Sequence, residues 1–308
     1  MLQLLKHTNR KISLILVAIF FCFRAVYIVQ KPDLALLVFA CFIIHVCSAA
    51  LLRGFLVSAQ LTLRTSAVSA IAFMAFSSLS PYFYSVYESL GLLVICFVLH
   101  ILAKSIEQEQ LKTRCFQAAL TLGFIFPVAS LSLKIASLLL LFCYLVILNL
   151  KQFKQLMIVL CGFLTGNIIT YTALSMYSFF DSLGLEINTL HSGREQLFSV
   201  ELYVLLFFML FTLASYKVLL LKKSIVSKRH LLFILIFNLI YALLWISLDF
   251  SFAESLYGLI FPVSICSIYL ESTAKPWKIN SLLYGGLAAL LAAQILSLFD
   301  LQYLTFKL

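Results

Sequence analysis

Positive charge in this chain falls at every second boundary between long apolar runs. That alternation constrains the fold more than any motif does, because it describes a chain threaded back and forth across a membrane. With the apolar runs numbered one to eleven, Lys6/Arg10/Lys11, Arg53/Arg64, Lys104/Lys112/Arg114, Lys151/Lys154, Lys217/Lys222/Lys223/Lys228/Arg229 and Lys275/Lys278 all lie on one side. Arg24, Lys31, Lys134, Arg194 and Lys307 lie on or near the other. Acidic residues segregate the opposite way. Glu107, Glu109 and Glu271 share the basic side, while Asp33, Glu88, Asp181, Glu186, Glu195, Glu201, Asp249, Glu254 and Asp300 lie opposite. Loops that stay in the cytoplasm carry the excess of Lys and Arg. The basic side is therefore read as inside, with the N-terminus inside and, after an odd number of spans, the C-terminus outside.

Composition enters here because it names the solvent. The 308 residues are 63% hydrophobic and 11% charged, with a mean hydropathy of +1.09. Soluble domains carry about 25% charged residues, so this chain has too few to cover a water-facing surface. In hydrocarbon every backbone N–H and C=O must be satisfied internally, which leaves helices or closed barrels. The runs are long and continuous rather than alternating strands of ~10 residues, so helices are expected. The predicted fold is all-α, a polytopic transmembrane helix bundle of about eleven spans. The spans are placed at 12–29, 34–52, 66–84, 88–104, 116–133, 135–150, 156–180, 201–221, 231–248, 252–270 and 279–298. Residues 1–308 form a single transmembrane domain, with 1–11 as an interfacial N-terminal segment and 181–200 as the longest outer loop. Tyr82, Phe83, Tyr84 and Tyr87 at one outer edge, and Trp277 at an inner edge, suit the headgroup level that amphipathic rings prefer.

Several classes are excluded. The net charge of +10 is spread over short loops and forms no stripe, so no nucleic-acid partner is expected. The eight Cys include no C-x-x-C pair, which argues against a zinc site or a disulfide framework. Lys6, Arg10 and Lys11 before an apolar run mimic a signal peptide. No small-residue cleavage site follows, so the run is read as a retained first helix. Walker A, G-x-S-x-G, H-E-x-x-H and G-x-G-x-x-G patterns are missing, so neither ATP hydrolysis nor zinc proteolysis is supported. No metal or cofactor is expected.

Polar and helix-breaking residues inside the spans supply the candidates for function. Gly123-Phe-Ile-Phe-Pro127-Val echoes Gly258-Leu-Ile-Phe-Pro262-Val at five of six positions, in spans predicted to run oppositely. Inverted repeats with Pro-broken helices are a transporter signature, while short echoes also arise by chance in so apolar a chain. Pro127 and Pro262 are each expected to kink a helix, because each removes a backbone donor. Arg24, inside the first span but nearer its outer end, is placed either to bind a phosphate or carboxylate or to snorkel towards Asp33. His45 and His100 are each expected to bond a neighbouring helix, and the five His do not obviously converge. Gly162-Phe-Leu-Thr-Gly166 permits close helix packing. Asp181, Glu186, His191, Arg194 and Glu195 form an outer cluster, read either as a substrate-binding site or as the acidic half of the topology signal.

Four stretches resemble an uncharacterised polytopic inner-membrane family of Bacteroidota, a domain of unknown function. These are Met1-Leu-Gln-Leu-Leu-Lys6 with Asn9-Arg10, the segment around Gly123-Phe-Ile-Phe-Pro127, Leu150 to Gly166, and Phe261-Pro262 through Lys275-Pro-Trp277. Its members are sometimes labelled carotene monooxygenases, a chemistry that needs a His-rich metal site. The scattered His of this chain depart from that requirement. Three functional classes then fit. The favoured one is an inner-membrane protein that binds or moves a lipid or lipid-linked cell-envelope precursor, with membrane lipids as its partners. The second is a polyprenyl-phosphate-sugar-dependent glycosyltransferase with Asp33 and Glu88 as acidic candidates on the outer side. The third is a membrane scaffold that assembles other envelope proteins. Whether the chain is an enzyme stays open between them.

Overall fold

The computed structural model describes residues 17–18, 20–22, 25, 35–62, 66, 68–78, 86–105, 111–129, 131–147, 153–181, 225–247, 264 and 268. Among these residues the structure is helical, with no strand. Seven helices carry it: α1 Ala35–Ser58, α2 Val68–Ser78, α3 Val86–Ser105, α4 Leu111–Ile125, α5 Leu131–Ile147, α6 Phe153–Asp181 and α7 Ile225–Ser247. The stretches Ala35–Ser58 and Leu156–Met176 are long and apolar enough to cross a membrane. The spans predicted at 12–29, 201–221, 252–270 and 279–298 lie outside the described residues or touch them only at isolated positions.

Each helix is apolar nearly all round, so packing rather than composition selects the buried face. In α1 that face is Val38, Cys41, Phe42, His45, Ser48, Ala49, Leu52, Phe55 and Leu56, a stripe recurring every three to four residues. The core joins it to Leu92, Ile95, Val98 and Leu99 of α3, Ala118 and Leu122 of α4, Leu133, Ala136 and Leu140 of α5, and Phe233, Ile234 and Phe237 of α7. On α7, the rings of Phe237 and Tyr241 stack at 5.9 Å and 12°. By contrast, among its described residues α6 gives this core only Val159, with Phe163 packed against it.

Cross-helix contacts set the directions. Ser89 meets His45 and His100 lies against Gly54, so α1 and α3 run parallel. Phe73 meets His45 and the Arg53 Nε donates to the Ser66 carbonyl at 2.6 Å, so α2 runs against α1. Gly162 faces Phe116, and Gly166 faces Leu120 and Phe124, which makes α4 and α6 parallel. His230 packs edge-on to Phe55 and Ser227 donates to the Gln60 carbonyl, so α7 starts where α1 ends. Arg53, Lys112, Arg114, Lys228 and Arg229, with the helix positions of Lys104 and Lys154, consequently gather at one end of the bundle.

Two helices differ from the expected spans for identifiable reasons. The span predicted at 34–52 continues through Arg53 to Ser58, because Arg53 finds a carbonyl partner and Arg is a good helix former. It stops in a C-cap around Gln60, whose φ is 55°. Leu61 N–H bonds the Leu56 carbonyl at 2.9 Å and Gln60 N–H bonds that of Val57 at 3.0 Å, the Schellman arrangement. The span predicted at 116–133 begins at Leu111 and ends at Ile125. The charged residues Lys112 and Arg114 lie in its first turn, and Pro127 comes two residues after its end.

Candidate functional site

The chain breaks at the end of α4. Pro127 has no N–H, so the bond that residue 127 would give to the Gly123 carbonyl cannot form. Phe126 N–H still reaches the Leu122 carbonyl at 3.0 Å, but Val128 N–H turns to Ile125 at 3.1 Å. Pro127 thus sits in a turn between two helices, and the chain is interrupted there rather than bent within one helix. The Phe124 carbonyl, which Val128 would have satisfied in a continuing helix, accepts instead from Thr170 Oγ1 of α6 at 2.8 Å. The same hydroxyl lies 3.1 Å from its own helix carbonyl at Gly166.

Backbone-to-backbone contact brings α6 this close. A Cβ on Gly166 would lie 2.5 Å from the Leu120 carbonyl oxygen and 2.8 Å from Phe124 N, and one on Gly162 would lie 2.8 Å from the Phe116 carbonyl oxygen. In the other direction, a Cβ on Gly123 would collide with the Phe163 carbonyl oxygen. Each glycine therefore aims a Cα–H at a carbonyl of the facing helix, a weak hydrogen bond typical of small-residue crossings. Gly162 and Gly166 were singled out by their spacing. Their partner Gly123 was visible only as part of the echo with residues 258–263.

Polar groups collect around the break. Phe163, Asn167 and Thr170 follow one another at i, i+4 and i+7 on the face of α6 that meets the end of α4. Asn167 Nδ2 donates to the Phe163 carbonyl at 3.0 Å. The ring of Phe126 meets Phe163 edge-on at 5.1 Å, and Lys134 Nζ of α5 lies 5.9 Å from the Phe126 centroid, within cation–π range. Among the described residues Lys134 is the one Lys or Arg placed away from the basic end. Thr170 was missed by sequence reading, although a threonine four residues after a packing glycine is a usable signal.

A second polar pair lies between α1 and α3. His45 and Ser89 are fully buried, with Ser89 Oγ 3.1 Å from His45 Nε2, so His45 does bond a neighbouring helix. His100 and His230 pack on consecutive residues of α1, Gly54 and Phe55, which draws them to one helical turn. Among the described residues no group of three His, Cys, Asp or Glu is arranged to hold a metal ion. Glu88 occupies the first turn of α3 and Asp181 ends α6. Arg24, Asp33, Glu186, His191, Arg194 and Pro262 lie outside the described residues, so the structure neither assembles nor separates the predicted outer cluster.

With this geometry in view, comparison with known proteins is informative in one respect. A family described as "Family of unknown function (DUF6427)" matches residues 1–300. The chain belongs to this family. The match spans all seven helices and both polar sites, and the resemblance to a domain of unknown function is thereby shown. No curated protein and no solved structure matches. Membership in DUF6427 supplies no substrate, so function must be argued from the site.

Proposed function

We propose that this DUF6427 protein is a multi-pass protein of the bacterial inner membrane. It has about eleven spans, its N-terminus inside and its C-terminus outside, and it binds or moves a lipid or lipid-linked cell-envelope precursor within the bilayer. The membrane part draws support from α6. Only 17% of an 18-residue apolar stretch within Leu156–Met176 is buried, whereas the apolar core helix of a soluble protein would be mostly enclosed. Leu164, Ile168, Tyr171 and Met176 are more than half exposed, an arrangement that suits lipid and penalises water contact. The alternating helix directions and the single basic end support the orientation.

The lipid part rests on one observation, the break between α4 and α5. Non-helical backbone is tolerated at membrane depth where protein buries it or where it lines a cavity, and interrupted helices commonly border substrate sites. Here the break is flanked by Lys134 of α5 and by Asn167 and Thr170 of α6. The scaffold reading loses its main argument, since Gly162 and Gly166 are taken up inside the bundle. The glycosyltransferase reading leans on Asp33, which lies outside the described residues. The deciding experiment compares lipid-linked glycans and phospholipids of a deletion strain with wild type, and identifies lipids that copurify with the full-length protein. Accumulation of one lipid class in the deletion strain, and its enrichment on the purified protein, is the expected result. Unchanged profiles together with a protein carrying only bulk lipid would overturn the proposal.

A further inference from the structure

On α5, Lys134, Leu138 and Phe142 follow one another at i, i+4 and i+8, so they form one lane along the helix. Leu138 is 47% and Phe142 62% exposed, and over eight residues the lane runs about 12 Å. Its head is cationic. Lys134 is in the first turn of α5, where the helix's unbonded N–H groups already present partial positive charge. Helical side chains lean towards the N-terminus, so the ammonium adds its charge to the same place. A cation in that turn opposes the helix dipole. The Phe126 ring offsets this only in part. Positive charge at a helix N-terminus is the arrangement that binds phosphate. An exposed apolar lane leading away from such a site suits an acyl or prenyl chain.

We propose that this lane seats one lipid with an anionic phosphate head, the phosphate at Lys134 and the first part of its chain along Leu138 and Phe142. Both ends of the ligand are specified by the helix: the head by charge, the chain by the exposed apolar surface of Leu138 and Phe142. Free phosphate would satisfy only the head, and the surface of the basic end would offer charge without the lane. The site rests on the reading that this protein handles a lipid within the bilayer, and it names where on the protein that lipid binds.

The test is native mass spectrometry of the purified full-length protein in detergent, titrated with phosphatidylglycerol, with inorganic phosphate as competitor. Wild type is expected to hold one tightly bound phosphatidylglycerol that inorganic phosphate does not displace. Lys134→Gln should weaken binding about tenfold, the scale of one charge-assisted hydrogen bond. Lys134→Arg should restore it, and Lys112→Gln at the basic end should leave it unchanged. Each variant is also checked for monodispersity, and Lys134→Arg keeps the test valid if Lys134→Gln does not fold. Equal binding by Lys134→Gln, loss in Lys112→Gln instead, or displacement by inorganic phosphate would each overturn the site. If the wild type retains no lipid from a total envelope extract, the functional reading fails and the site fails with it. If lipid is retained equally by Lys134→Gln, the site alone fails.

Discussion

Two parallel helix pairs in this protein are joined by opposite means. The α1–α3 pair meets through side chains, with a buried His45–Ser89 hydrogen bond and an imidazole, His100, lying over Gly54. The α4–α6 pair meets through backbone, with Gly123, Gly162 and Gly166 each against a carbonyl of the partner. For helices in lipid, as proposed for this protein, apolar burial gives little net drive, so packing and interhelical bonds decide association. A side-chain crossing can adjust by turning a χ angle. A backbone crossing has no such freedom, and its tolerance of change should be correspondingly low.

That difference is testable by placing groups where each pair has least room. Gly123→Val is expected to have the largest effect, because its Cβ meets the Phe163 carbonyl and cannot be accommodated without separating α4 from α6. Overpacking of this kind costs about 3 kcal/mol or more, and the expected readout is loss of monodisperse protein after detergent extraction. His45→Leu ranks next, at about 2 kcal/mol, since it removes the partner of a fully buried hydroxyl. A double-mutant cycle with Ser89→Ala, followed by unfolding in mixed micelles, should show that the two losses are not additive. Gly54→Ala should cost less, about 1 kcal/mol. Its Cβ would come within 2.7 Å of His100, but those atoms belong to a side chain that can swing aside. If Gly54→Ala proved as damaging as Gly123→Val, the contrast between the two crossings would fail. Thr170→Val should be mildest, roughly 0.6 kcal/mol, the usual worth of an interhelical bond in a membrane. Its effect on unfolding should disappear once Gly123→Val has already parted the helices.

The same contrast explains what was legible beforehand. The helical class, the apolar runs and the clustering of basic residues follow from composition and charge, which local sequence carries directly. The Gly162–Gly166 spacing announces a close crossing, yet not its partner. Gly123 stands alone in its helix, and a crossing glycine is recognisable in sequence mainly when a second one follows four residues later. Facing residues are hard to read because α6 mixes apolar and small polar residues on every side, and no stripe marks one face from another. The end of α1 was placed too early because Arg53 looks like a membrane boundary. Its guanidinium meets the Ser66 carbonyl, a contact that depends on the return of α2. Pro127 announced a disturbance, but the outcome was decided on α6, where Thr170 supplies the donor that lets α4 end.

The relative lengths of the paired helices have a further consequence. Thr170 marks the end of α4, while α6 continues to Asp181, about 16 Å further along its axis. The two parallel helices therefore form a step, with α6 as the riser and the α4–α5 turn as the tread. Lys134 stands on that tread. On the lipid reading proposed above, a molecule moving along α6 towards that turn would meet the Lys134 cation at a level set by the position of one proline.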